Sequence, residues 1–222
     1  MDMPLFPLQT VLFPGMMMPL HIFEPRYLEM VERCLEEKIP FGVVLIRRGK
    51  EVGGPAEPYS VGTAARITKV KRHPDGRMDI MVAGTQRFRI QELNPHARSY
   101  LTGQVRHYPV VNGDTRLALQ QALRIRPKIL AYVELLAKAT GVKLPLDPLP
   151  EDPTTLALLT AIALQIPAPD KQRILALPGV PEMLDLGNHF LARELQLLRY
   201  MVESQPRIEQ MVWGPTGYLF AN

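Results

Sequence analysis

The stretch YSVGTAARITKVKRHPDGRMDIMVAGTQRFRI, residues 59–90, decides the fold class of the first half of the chain. From Ala64 to Arg72 apolar and polar residues alternate. His73-Pro74-Asp75-Gly76-Arg77 then supplies a turn, in which proline and glycine set the backbone dihedrals. A second run starts at Met78. Met78, Ile80, Val82, Phe88 and Ile90 keep one parity, and Asp79, Arg87 and Arg89 take the other. Period two about a Pro-Asp-Gly turn predicts a β-hairpin with one buried face, so Arg87 is expected on the opposite, outer face. Gly84 interrupts the second strand and predicts a bulge, the device that curls a sheet.

Working outward, Phe41 to Ile46 is a continuous apolar run and predicts a strand covered on both faces, and Tyr100 to Tyr108 alternates again. One helix is expected inside this sheet half. It starts at Pro25, where the missing amide proton costs nothing, and runs to about Lys38. Tyr27, Leu28, Val31, Cys34 and Leu35 fall at helical spacing, which turns Cys34 toward the core, with Glu29, Glu32, Glu36 and Glu37 outward.

After about residue 111 the period becomes 3.6. Asp114 is placed to cap a helix carrying Leu117, Leu119, Leu123 and Ile125; Pro127 either kinks or ends it, and Ile129 to Ala139 continues the pattern. KLPLDPLPEDP, residues 143–153, has four prolines in eleven residues and is a loop. Asp152 caps the next helix with Pro153 at its first position and Leu156 to Ile166 following. Asp170 to Leu177 is a short helix broken by Pro178-Gly179. Pro181 opens the longest helix, to about Ser204, with Met183, Leu184, Phe190, Leu191, Leu195, Leu198 and Met201 as its apolar stripe. The expected division is therefore residues 1–110, built of strands, and residues 111–222, built of helices.

Composition narrows the function. The 222 residues are 46% hydrophobic and 22% charged, as in an ordinary globular protein, which excludes a largely disordered chain. A single cysteine rules out an internal disulfide framework and a cysteine-based zinc site and points to a reducing, cytoplasmic setting. Net charge is +4, and all of it lies in the first half: residues 1–110 carry 15 Lys and Arg against 11 Asp and Glu, and residues 111–222 carry 11 of each. The opening segment LFPLQTVLFPGMMMPLHIFEPRYLEMVERC, residues 5–34, is nearly free of charge before Glu24. It is no export signal, because Asp2 precedes it and Pro4, Pro7, Pro14 and Pro19 break it. No run reaches the roughly 20 apolar residues of a membrane span.

Catalytic signatures are missing. There is no Gly-x-x-x-x-Gly-Lys-[Ser/Thr] and no Gly-x-Gly-x-x-Gly after a strand, and no two of His21, His73, His96, His107 and His189 sit at i, i+4 on a helix. The three serines, Ser60, Ser99 and Ser204, lie in no nucleophile elbow. Paired carboxylates such as Glu182 with Asp185 or Glu32 with Glu36 read as solvated helix faces. The expected protein is a binder without cofactor or metal.

A family likeness is carried by three segments. PLFPLQTVLFPGMMMPLHIFEPRY, FGVVLI and the 59–90 stretch resemble, in order and spacing, the N-terminal substrate-recognising domain of Lon proteases, a module found also in cereblon and in stand-alone bacterial proteins. The matching positions include Pro14, Gly15, Pro19, Leu20, Val61, Gly62, Thr63, Pro74, Asp75, Gly76, Gly84, Arg87, Phe88 and Ile90. LQIPAPDKQRILALPGVPEMLDL resembles the helical segment of the same module more loosely. The resemblance implies an α+β fold: an N-terminal curled PUA-like β-barrel with one inserted helix, followed by a C-terminal α-helical bundle. It implies recognition without hydrolysis, since neither the ATPase nor the Ser-Lys protease module lies within these residues. The implied partners are unfolded or hydrophobic polypeptide segments, and a protease or chaperone that receives them. Met16, Met17 and Met18 are the expected contact residues, adaptable and polarizable if exposed; the plainer reading puts alternate ones in the core. The alternative function is RNA or DNA binding through the basic hairpin residues Lys69, Lys71, Arg72 and Arg77, disfavoured because few aromatic residues accompany them.

Overall fold

The hairpin read from residues 59–90 is the spine of the strand half. In the computed structural model, which describes residues 2–51, 56–95, 97–140 and 148–212 with the side chains of 140 and 202–212 excepted, β5 (Val61–Arg72) and β6 (Met78–Asn94) pair antiparallel from Arg72↔Met78 to Val61↔Arg89. Gly76 takes a φ of +84° in the turn, and its amide donates to His73 O at 3.0 Å. Two register shifts bend the ladder. Between Ala65↔Gly84 and Thr63↔Arg87, three steps along β6 answer two along β5, so the expected bulge sits beside Gly84; a second lies between Ile67 and Lys69. The bend lets β6 pair with two further strands in succession: β2 (Met17–Ile22) along Met78–Ala83, then β7 (Thr102–His107) along Phe88–Asn94.

Around this spine β1 (Asp2–Leu8), β3 (Phe41–Gly49) and β4 (Ala56–Pro58) complete an α+β arrangement. β1 pairs antiparallel with β7 and parallel with β3, and β3 pairs with β5, so the pairings run β1–β7–β6–β5–β3 and return to β1. Phe41 to Ile46 is buried throughout, as its unbroken apolar run requires. Inside the ring lie Met3, Leu5, Val44, Ala64, Phe88 and Val105. α1 (Pro25–Glu36) covers a second cluster, burying Tyr27, Met30, Val31 and Cys34 against Phe6, Phe41, Met78 and Ile80.

The second half is helical: α2 (Arg116–Thr140), α3 (Pro153–Ala163), α4 (Ala168–Ala176) and α5 (Val180–Val212). Asp152 caps α3 as expected, its carboxylate accepting from Thr155 N at 2.8 Å. A third apolar cluster joins the halves, since Val11, Phe13, Leu45 and Val61 pack with Ala118, Ile125, Ile174, Met183 and Leu191. Val111 exchanges backbone hydrogen bonds with Pro178 and Val180 across the same seam.

Several expectations need correction. α2 is capped by Thr115, whose hydroxyl accepts from Ala118 N, rather than by Asp114. It passes through Pro127 without ending. Its buried stripe is Ala118, Ala122, Ile125, Ile129, Tyr132 and Val133, while Leu117, Leu119 and Leu123 are exposed. The small alanines face the core because close helix packing favours them there, and a count of large apolar residues misses this. α5 continues to Val212, past the stop expected near Ser204 and through Pro206; a proline removes one helical hydrogen bond, and a long helix absorbs that loss. Most of the loop expected at 143–153, namely 143–147, lies outside the described residues.

Candidate functional site

Pro14 and Gly15 make the turn that sets the methionine triplet, with Gly15 at a φ of +82° and Met16 N donating to Phe13 O at 3.1 Å. Gly15 N donates to Gly84 O and Gly84 N donates to Met16 O, both at 2.9 Å, so this loop is clamped onto β6 at its bulge. Only a glycine permits that approach, because a Cβ on residue 84 would lie 2.2 Å from Phe13 O. Strand alternation then acts on the residues that follow. Met16 is half-buried, Met17 is 50% exposed and Met18 is buried at 6%.

Met17 begins an outward row. Pro19 and His21 follow it on the exposed face of β2, and Phe23, 48% exposed, stacks on His21 with ring centroids 5.9 Å apart. Among the described strands β2 pairs with β6 alone, which leaves its other edge open. A cleft of about 140 Å³ runs beside β2, floored by Phe6, Leu8 and Tyr27 and edged by Glu24 and Glu51. Arg26 donates twice to Glu24 Oε2, at 2.9 and 3.1 Å, and its guanidinium lies 4.6 Å from the Tyr27 ring centre, stiffening that wall. A space of this size takes one or two side chains of an extended segment.

The fold also brings together residues whose sequence positions gave no hint of it. Asp79 sits between His21 Nδ1 at 2.6 Å and His73 Nε2 at 2.7 Å, one imidazole on each carboxylate oxygen. Hydrogen bonds from His21 and then His73 hold its carboxyl below the usual range. Among the described residues no group of three His, Cys, Asp or Glu is arranged to hold a metal ion, and no helix is long and apolar enough to cross a membrane.

The basic hairpin is half neutralised. Lys69 and Lys71 are exposed on β5, but Arg72 Nη2 pairs with Glu32 Oε2 of α1 at 2.7 Å and Arg77 Nε with Asp75 at 2.6 Å. A phosphate backbone would have to displace both carboxylates, which does not favour the nucleic-acid reading.

Arg87 departs furthest from expectation. It lies on the face opposite Phe88, as the parity requires, yet it is only 2% exposed. That face is covered by the helical half, not by water. Its Nη1 donates to Leu175 O and Leu177 O, each at 2.6 Å, and its Nη2 donates to Pro109 O at 2.9 Å. Tyr108, whose ring centre is 4.7 Å from the guanidinium, donates its hydroxyl to Ala176 O at 3.0 Å. Burial pulls the Arg87 pKa down. The last carbonyls of α4, which no helical amide can reach, are thus satisfied by side chains from the strand half. Gln172 makes the reciprocal bond, donating Nε2 to Val61 O at 2.9 Å.

An α+β chain of strand ring and packed helices, with an apolar open-edged strand on its surface and no converged catalytic group in view among the described residues, has the build of a recognition module. The sequence profile of the ATP-dependent protease La (LON) substrate-binding domain matches residues 2–193, and the chain belongs to that family. The Lon protease of Phenylobacterium zucineum is 27% identical over 206 residues, 92% of this chain and 26% of the relative, and Lon protease 2 of Myxococcus xanthus is 28% identical over 201 residues, 89% and 24%. The chain therefore spans about a quarter of the length of such relatives. The fold is similar to that of a Lon N-terminal domain protein from Xanthomonas campestris, with a TM-score of 0.63 at 24% identity over 83% of this chain and 95% of that one. It is similar also to the N-terminal domain of a Mycobacterium avium complex Lon protease, with a TM-score of 0.64 at 18% identity over 86% and 98%.

Proposed function

We propose that the chain binds extended, apolar polypeptide segments along the open edge of β2, without acting on them chemically. The observation that carries this reading is the row Met17, Pro19, His21 and Phe23 on a strand with one free edge, set beside a cleft sized for side chains. Met17 is the exposed contact; Met16 and Met18 anchor the segment from beneath. An unbranched thioether adapts to many apolar surfaces, which suits a site that accepts varied sequences. Main-chain pairing with an added strand supplies affinity independent of sequence, although Pro19 withholds one donor. Membership of a substrate-binding family supports a role in recognition. Handing a bound segment to a protease or chaperone is part of the same reading, as are the PUA-like description of the strand ring and a cytoplasmic setting. The ring of pairings supports the former, and the free, buried Cys34 the latter.

Capture of a reduced, carboxymethylated protein on the immobilised chain, beside the same protein folded, tests the proposal. The expected result is retention of the unfolded form only, lost in Met17→Asp. Equal and negligible capture of both forms overturns it.

A further inference from the structure

The leucines of α2 that lie exposed, against expectation, form a pattern of their own. Leu119, Leu123 and Leu130 are 49%, 71% and 47% exposed. At about 100° per residue they fall within roughly 40° of one another on the helix surface, a ridge about 16 Å long. Arg116 and Glu134 flank its two ends, both exposed. Their separation corresponds to about five whole turns, so they stand on one line along the same edge of the ridge.

The two pairs share a centre. The midpoint between Leu119 and Leu130 and the midpoint between Arg116 and Glu134 differ by half a residue, about 0.8 Å along the axis. A two-fold axis through that point, perpendicular to the helix, turns α2 antiparallel to its copy and keeps each edge of the ridge on its own side. It sets Leu119 against the partner's Leu130, Leu123 beside the partner's Leu123, and Arg116 against the partner's Glu134, each contact occurring twice. Opposite charges at the two ends of an apolar ridge, placed symmetrically about its centre, are the requirement for a self-complementary face. Any partner of one charge sign would meet repulsion at one end.

We infer that the outer face of α2 is a homodimer interface in which two copies pack antiparallel about the 124–125 position. The ridge is small beside a standard protein interface, so association is reversible and falls in the micromolar range. Glu134 also pairs with Lys138 of its own helix at 2.9 Å, which orients its carboxylate along the exposed edge. The inference is independent of the polypeptide-binding edge, which lies on β2.

Sedimentation velocity on the full chain, from low to high micromolar at low salt, tests it. The wild-type mass is expected to rise with concentration toward twice that of the monomer. Leu123→Asp, at an exposed position, is expected to melt with the wild type and to stay monomeric throughout. Arg116→Glu is expected to weaken the dimer several-fold by placing like charges together, and Arg116→Glu with Glu134→Arg to restore it. A wild-type chain that stays monomeric overturns the inference, as does a Leu123→Asp chain that dimerises normally. A double variant as weak as the single overturns the antiparallel register.

Discussion

The guanidinium of Arg87, on β6, donates to the carbonyl of Leu175, the penultimate residue of α4, at 2.6 Å. Among the described residues its hydrogen-bond acceptors are carbonyls and not carboxylates. A charged group is held in the seam by carbonyl dipoles at a helix C-terminus, where cations are favoured. Removing it strands the carbonyls of Leu175, Leu177 and Pro109 together, and a buried unsatisfied polar group costs about 1–3 kcal/mol. Arg87→Met is therefore expected to lower unfolding free energy by about 3 kcal/mol or more, and Arg87→Lys to recover little, since one ammonium lacks the planar fork that reaches several acceptors. Denaturant melts decide this, and a loss below about 1 kcal/mol would show that water or rearrangement satisfies the carbonyls instead.

The methionine triplet offers a paired test of surface against core. Met18→Asp places a carboxylate among Phe6, Ile22 and Val82 and is expected to cost several kcal/mol. Met17→Asp projects from the exposed face and is expected to change stability by no more than about 0.5 kcal/mol while removing capture of unfolded protein. Thermal stability measured beside capture for both variants separates folding from binding. Should Met17→Asp bind normally at unchanged stability, the contact surface has to be sought elsewhere.

Cys34 is the one titrating thiol, 2% exposed on the inner face of α1. Burial pushes its pKa up to about 11 from an ordinary value of 9.0. The folded chain thus holds this proton more tightly than the unfolded chain does. The stabilising contribution is complete below the ordinary value and is lost as pH rises through the folded one. Labelling by an aromatic disulfide reagent at pH 8 is expected to be slow in the native chain and immediate in denaturant. In Cys34→Ala the decline of stability across pH 9 to 11 is expected to be shallower. Rapid native labelling would mean that α1 opens locally.

Much of this architecture is legible in the sequence because local chemistry and tertiary packing agree. Pro-Asp-Gly with alternation marks the hairpin, the unbroken Phe41–Ile46 run marks a doubly covered strand, and Asp152 with Pro153 marks a helix start. What escapes depends on partners distant in sequence. Parity places Arg87 opposite Phe88, but only the helices 88 to 90 residues later determine that this face is covered. Periodicity marks α2 as amphipathic yet ranks large leucines above alanines for the core, an error of weighting that only the packing partner resolves. The binding edge is half legible: the FPGMMMPLHIF segment stands out by its composition, while the open edge of β2 and the cleft beside it arise from pairing with β6.

Gly84 links the bulge to the site, and two glycine substitutions distinguish space from conformation. At Gly84 a methyl group would sit 2.2 Å from Phe13 O and 3.1 Å from the Leu12 side chain, against backbone that has no room to yield. Gly84→Ala is expected to cost about 2 kcal/mol through overpacking. Because Gly84 N and O hold Met16 and Gly15, it should also displace the start of β2 and weaken capture of unfolded protein. Gly76 presents the opposite case, with nothing within 4 Å of where a methyl group would stand but a φ of +84°. Gly76→Ala is expected to cost about 1 kcal/mol from the left-handed conformation alone and to leave capture intact, the turn being at the far end of the hairpin. Urea melts and capture assays on the two variants, read together, test whether the clamp between β6 and residues 13–16 positions the site. If Gly84→Ala binds as well as Gly76→Ala, the clamp serves stability only.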